Sequence, residues 1–167
     1  MKKFRFALLF LFLTGALLSA GLLKNADFSQ GTEGWKLETS EGVSGQAKVL
    51  PGEYEGKNAL VLTFGPGDPK PWGAWISSEN IVVEPGKNYV LRFVARLEGG
   101  RKARKVCFVE GVKENRSIDR QSFAPDMEWQ EYVFSFIPTQ KELHITIGDI
   151  GWPDSTLYIS GLTFEQE

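Results

Sequence analysis

Apolar and polar residues alternate with period two along most of this chain, the spacing of half-buried β-strands. From Asn88 to Leu97, Tyr89, Leu91, Phe93 and Ala95 share one face, and Val90, Arg92, Val94 and Arg96 take the other. From Trp129 to Ile137, Tyr132, Phe134 and Phe136 oppose Val133, Ser135 and Ile137. Glu142 to Gly148 turns Leu143, Ile145 and Ile147 inward, with His144 and Thr146 outward. Thr156 to Phe164 sends Leu157 and Ile159 inward, and Gly161 permits a bulge that would add Leu162 and Phe164. Further strands are expected at Trp35–Thr39, Gln46–Leu50, Ala59–Phe64, Ala74–Val83 and Lys105–Val109. Turn signals separate them, among them Pro51-Gly52, Gly65-Pro66-Gly67, Pro85-Gly86, Gly99-Gly100 and Pro153-Asp154. In the chain after residue 20, no window longer than about ten residues carries a helical stripe. Many short strands with regular turns predict an all-β sandwich or jelly roll of two antiparallel sheets.

The first 20 residues belong to a different pattern. Lys2, Lys3 and Arg5 precede the apolar run Phe6–Leu13, and Leu18-Ser19-Ala20 ends in small residues. This reads as a secretory signal peptide cleaved after Ala20 or Gly21. The expected localisation is secreted, periplasmic or cell-surface, with no transmembrane span in the mature chain. Residues 21–167 are then one domain.

Composition sharpens the picture. The chain has 167 residues, enough for one well-buried core. Its formal charge is −2, and loss of Lys2, Lys3 and Arg5 takes it to −5. Nucleic acid is therefore not an expected partner. Five Trp, four Tyr and twelve Phe stand against one His and one Cys. A disulfide framework and a multi-His metal site are excluded. Cys107, between Val106 and Phe108, is expected to be a buried strand residue.

Three stretches resemble carbohydrate-binding modules of the family 4/9/22 type. They are Leu22–Phe28 with Gly34-Trp35, Pro71-Trp72-Gly73-Ala74-Trp75 through Tyr89, and Trp129–Phe134 with Leu157–Leu162. The resemblance spans nearly the whole chain after the leader. It implies a galactose-binding-like β-jelly roll, non-catalytic, with a sugar cleft on the concave sheet. The implied ligand is a β-linked polysaccharide or oligosaccharide of the xylan or β-glucan type. Such modules are usually attached to a glycoside hydrolase. Within these 167 residues no catalytic domain is expected beside the module, so a separate glycoside hydrolase is the partner to consider.

Sugar rings present apolar C–H faces and equatorial hydroxyls, so a cleft needs flat aromatics and a few fixed polar groups. The resemblance points to Trp72 and Trp75 as stacking residues. Positions 72 and 75 face opposite sides of an ideal strand, and a bulge at Gly73 would bring them together. Thr146 falls on a polar cleft position, and His144 shares its face. Arg120 lies near a cleft arginine of the family, with Arg92 and Arg116 as alternatives. Trp152 would line the cleft rim or staple a loop. Trp35 and Trp129 match structural positions and are expected in the core. The family often holds a structural calcium, but Ser29 and Ser160 stand where two of its carboxylates would. Asp27 and Glu55 are the remaining candidates, too few for the six to eight oxygens calcium prefers, so no cofactor is expected. The cluster Arg101-Lys102-Ala103-Arg104-Lys105 reads as a solvated turn or as a contact for an acidic polysaccharide.

Catalysis finds little support. No carboxylate pair falls in a motif, a Ser-His-Asp triad would need His144, and no nucleophile elbow occurs. Tyr54, Tyr89, Tyr132 and Tyr158, the possible bases of a lyase, read as core or strand residues. The alternative to sugar binding is a cell-envelope interaction domain that keeps the sandwich alone. Trp72 and Trp75 on opposite faces would favour that alternative.

Overall fold

The computed structural model describes residues 21–100, 105–111 and 116–167. The leader and its cleavage site lie outside the described residues, as do Arg101, Lys102, Ala103 and Arg104. Eleven strands follow one another among the described residues. They are β1 (Trp35–Thr39), β2 (Gly45–Tyr54), β3 (Lys57–Phe64), β4 (Ala74–Ser78), β5 (Ile81–Val82), β6 (Tyr89–Gly99), β7 (Lys105–Gly111), β8 (Arg116–Phe123), β9 (Gln130–Phe136), β10 (Glu142–Gly148) and β11 (Ser155–Gln166). A single turn of 3-10 helix, Pro71–Gly73, precedes β4.

All pairings are antiparallel. One sheet runs β1-β4-β10-β7-β8, with short β5 also on β10; the other runs β2-β3-β11-β6-β9. The core lies between them, and the alternation explains it. Leu91, Phe93 and Ala95 of β6 and Leu143, Ile145 and Ile147 of β10 are fully buried. Each of the Leu, Ile and Phe side chains contributes about 1.5–3 kcal/mol by leaving water, and Ala95 less. Tyr89, Phe164 and Phe136 stack in series, with centroids 5.4 and 5.5 Å apart. The buried Tyr89 hydroxyl is satisfied, accepting from the Glu84 N–H and donating to Gln166.

Strand β11 contains the bulge that Gly161 permits. Its register against β6 shifts between Ser160 and Thr163, and Gly161 has φ +59°. The extra residue changes the parity, so Leu157 and Ile159 before it and Leu162 and Phe164 after it all reach the core.

Four expectations need correction. The span Ala74–Val83 is two strands, broken at Glu79 and Asn80. Strand β8 is not among the expected strands: apart from Ile118 and the core residue Phe123 it is polar, as an edge strand that pairs on one side only allows. Trp129 is outside the main core, on the far face of the second sheet. There it packs edge-on to Tyr158, 5.0 Å from Tyr54, and under the Arg96 guanidinium. Lys105 does not belong to a solvated turn. It shares the inward parity of Cys107, is 0% exposed, and its Nζ, with no hydrogen-bond partner, lies 5.5 Å from the Trp152 ring. Cys107 is buried, and burial pushes its thiol up to about 12, with Asp119 adding to the effect.

Candidate functional site

The outer face of the first sheet carries an open groove of about 650 Å³. Its floor is built by strand register. Trp75 of β4 stands opposite Glu38 of β1, and Ser77 stands opposite Lys36. Ser77 also pairs with Thr146 of β10. Ala74 and Ile76 fill the core from β4, so Trp75 and Ser77 must point outward. His144 and Thr146 do the same from β10, since Leu143, Ile145 and Ile147 point in. Gly148 continues that outward row and has no side chain to cover the neighbouring indole.

Trp72 enters from the 3-10 turn. Because Pro71–Gly73 is not part of the strand, the strand parity that separates positions 72 and 75 does not apply. Both indoles line the same groove, and Trp72 is 71% exposed. Gly73 is needed in this turn, since a Cβ there would sit 2.6 Å from the Ser40 hydroxyl.

Several polar groups of the groove are already engaged. Trp75 Nε1 donates to Glu38 at 3.1 Å, and Lys36 Nζ donates to the same carboxylate at 2.7 Å. The bond from Lys36, helped by that from Trp75 and opposed by partial burial, holds the Glu38 carboxyl below the usual carboxylate range. The indole is thereby fixed in its plane. Ser77 Oγ and Thr146 Oγ1 are 2.8 Å apart, and Thr146 is only 4% exposed. Ser78 Oγ accepts from the Ile145 N–H and donates to the Glu79 carbonyl, which pins the end of β4 to β10. Asn80 and Asp149 complete the lining.

The six residues nominated from sequence therefore separate. Trp72, Trp75, His144 and Thr146 come together in the groove. Arg120 is exposed on edge strand β8, in the same cross-sheet row as Thr146 but two strands away. At about 4.8 Å per strand, that is roughly 10 Å from the groove floor. Trp152 lies in the loop between β10 and β11 and packs on Lys105 rather than lining the groove. The lining residues Lys36, Glu38, Ser77, Ser78, Asn80 and Asp149 carried no signal of their own. The parity of β4 and β10 would have picked out Ser77 and suggested Gly148, but nothing local says that β1 lies beside β4.

The calcium candidates do not assemble. Asp27 is exposed, and its carboxylate takes the N–H and hydroxyl of Ser29. Ser160 is fully buried and donates to the Asn58 carbonyl at 2.7 Å, while Asn58 donates to the Asp27 carbonyl. Glu55 is exposed in the β2–β3 turn. Among the described residues, no three acidic, His or Cys side chains gather as a metal would require. Two neutral hydroxyls, Ser29 and Ser160, stand where the resemblance places carboxylates, and both are engaged within the chain, so these residues do not fit calcium.

A two-sheet antiparallel sandwich with an aromatic-lined groove across one outer face can hold a flat, partly apolar ligand. The chain belongs to the carbohydrate binding domain family that groups modules of families 4 and 9, which it matches over residues 20–155. It is accordingly a non-catalytic, carbohydrate-binding domain. Among solved structures, a family 4 carbohydrate-binding module superposes with a TM-score of 0.70 at 15% identity, covering 87% of this chain and 99% of that one. The N-terminal cellulose-binding domain of Cellulomonas fimi β-1,4-glucanase C gives 0.60 at 18% identity, covering 88% and 95%. A family 61 module in complex with β-1,4-galactotriose gives 0.59 at 16% identity, covering 89% and 100%. At such identities the likeness is one of fold. No curated protein matches the chain. Among the described residues, no helix is long and apolar enough to cross a membrane.

Proposed function

We propose that this chain is an exported module that binds a neutral β-linked polysaccharide or oligosaccharide, of the xylan or β-glucan type, by stacking on Trp72 and Trp75. The observation that carries this reading is that two indoles share one open groove, one 71% exposed and the other tethered to Glu38. An indole left in water is a cost that a sugar ring offsets by covering it. Thr146 and His144 supply polar contacts along the floor, whereas Arg120, two strands away on β8, is not part of the lining. The Lys36–Glu38 pair cancels within the lining and Asp149 adds a negative charge, which suits an uncharged glycan rather than an acidic one. The leader-like N-terminus supports action outside the cytoplasm, where a separate glycoside hydrolase would meet the same polymer.

Affinity electrophoresis in gels containing xylan, mixed-linkage glucan or laminarin tests the reading. The wild type is expected to be retarded in at least one gel, and Trp72→Ala is expected to run freely in it. Trp72 makes few contacts, so this variant keeps its fold. A wild type that runs freely in all three gels, or a variant retarded as strongly as the wild type, would end the proposal.

A further inference from the structure

Of the two carboxylates lining the groove, Glu38 and Asp149, only Asp149 makes no hydrogen bond or ion pair. Glu38 is taken by Lys36 and Trp75, Ser77 and Thr146 hold each other, and Ser78 is satisfied twice. Asp149 makes no hydrogen bond or ion pair among the described residues, yet it lines the groove. Its oxygens are not among the buried atoms and open onto the groove, so they are available to accept hydrogen bonds from a ligand there.

Its position is built rather than incidental. Asp149 adopts φ +57°, a conformation that Asp and Asn tolerate better than other side chains. The backbone just after it is tied to the turn that carries Trp72: Ile150 N–H donates to the Ala74 carbonyl and Gly151 N–H to the Pro71 carbonyl. A Cβ on Gly151 would lie 2.4 Å from the Lys70 carbonyl, so only glycine permits this approach. Asp149 and Trp72 are therefore fixed at the same end of the groove. Gly148 pairs with Val106, so Asp149 and Lys105 follow at the same end of the β7–β10 ladder, and the carboxylate is the electrostatic counterpart of the buried Lys105 amine.

We propose that Asp149 is the sugar-orienting acceptor of this site, its two carboxylate oxygens taking adjacent hydroxyls of the ring stacked on Trp72, with Lys105 as the positioning charge beside it. This rests on the stacking reading and deepens it. The ligand class follows from the chemistry. The ring at that end is neutral and carries two neighbouring unsubstituted hydroxyls, because a carboxylate repels a uronate and cannot accept from an O-substituted position.

The test is calorimetric titration with cellohexaose and xylohexaose against wild type, Asp149→Asn, Asp149→Ala, Lys105→Met, the Asp149→Ala/Lys105→Met double variant and Trp72→Ala. Asparagine tolerates the same backbone conformation, so Asp149→Asn guards against loss of fold in the alanine variant. Asp149→Ala is expected to bind about 10- to 100-fold more weakly than wild type, and Asp149→Asn at least several-fold more weakly. Lys105→Met is expected to weaken wild type several-fold and leave Asp149→Ala unchanged. If Trp72→Ala loses binding while both Asp149 variants bind as wild type does, the Asp149 proposal is overturned and the stacking reading survives. If Lys105→Met weakens the Asp149→Ala background equally, its positioning role is overturned. A wild type that binds neither oligosaccharide overturns the Asp149 proposal, and the three polysaccharide gels decide the stacking reading separately.

Discussion

Lys105 offers a thermodynamic test of the fold that needs no ligand. Its amine is fully buried at the start of β7, and burial pushes it down from the ordinary 10.5 to about 8, with the Asp149 carboxylate opposing. Below pH 8 both the folded and unfolded chains hold the proton. The folded state then bears the whole cost of a buried ammonium, about 3 kcal/mol for a displacement of this size. Between about pH 8 and 10.5 the folded state releases the proton while the unfolded state keeps it. The unfolded state binds more protons there, so the Lys105 contribution to stability rises with pH, and above 10.5 the cost is gone. Lys105→Met keeps the apolar stem and removes the charge. It should therefore stabilise the protein at pH 7 by up to about 3 kcal/mol, or about 6–12 °C in melting temperature for a chain of this size. The Cys107 thiol runs the other way: raised from 9.0 to about 12, it makes stability fall with pH above 9. The difference between variant and wild type cancels that effect. Urea unfolding of both proteins at pH 7 and pH 10 gives the measurement. A variant less stable than wild type at pH 7, or a gap that does not shrink by pH 10, would refute the reasoning.

Two further predictions concern groups described above. Cys107 should resist an aromatic disulfide reagent at pH 8 in the folded protein and react fully in denaturant, because burial keeps it as a thiol; rapid labelling of the native protein would show that β7 opens. Glu38→Gln should leave the melting temperature within a few degrees, since the Lys36–Glu38 pair is largely exposed, but should weaken glycan retardation by loosening the Trp75 indole; unchanged retardation would show that the tether does not matter.

Most of the fold was readable because the information is local. Period two in β6, β9, β10 and β11 assigns inward faces that burial bears out, and Gly161 marks where β11 changes parity. What failed was also local in appearance. β8 is polar because an edge strand can be, and Trp129 is aromatic without being central, since the outer face of the second sheet has its own small cluster with Tyr158, Ala59 and Val61. Lys105 looked like the end of a basic run, and only its parity with Cys107 and its place beneath Trp152 show it to be buried.

The candidate site was less legible. Trp72 and Trp75 were nominated by resemblance, but whether they share a face depended on the 3-10 turn at Pro71–Gly73. Lys36 and Glu38 lie far from both in sequence and meet Trp75 and Ser77 only because β1 pairs with β4. The amino-acid sequence by itself determined the class of fold, the inward faces of its strands and the family, since side-chain alternation and turn chemistry act over a few residues. Tertiary structure alone decided which outward residues share a groove, because strand order is set by long-range pairing that minimises exposed apolar surface over the whole sandwich, and no local pattern records it.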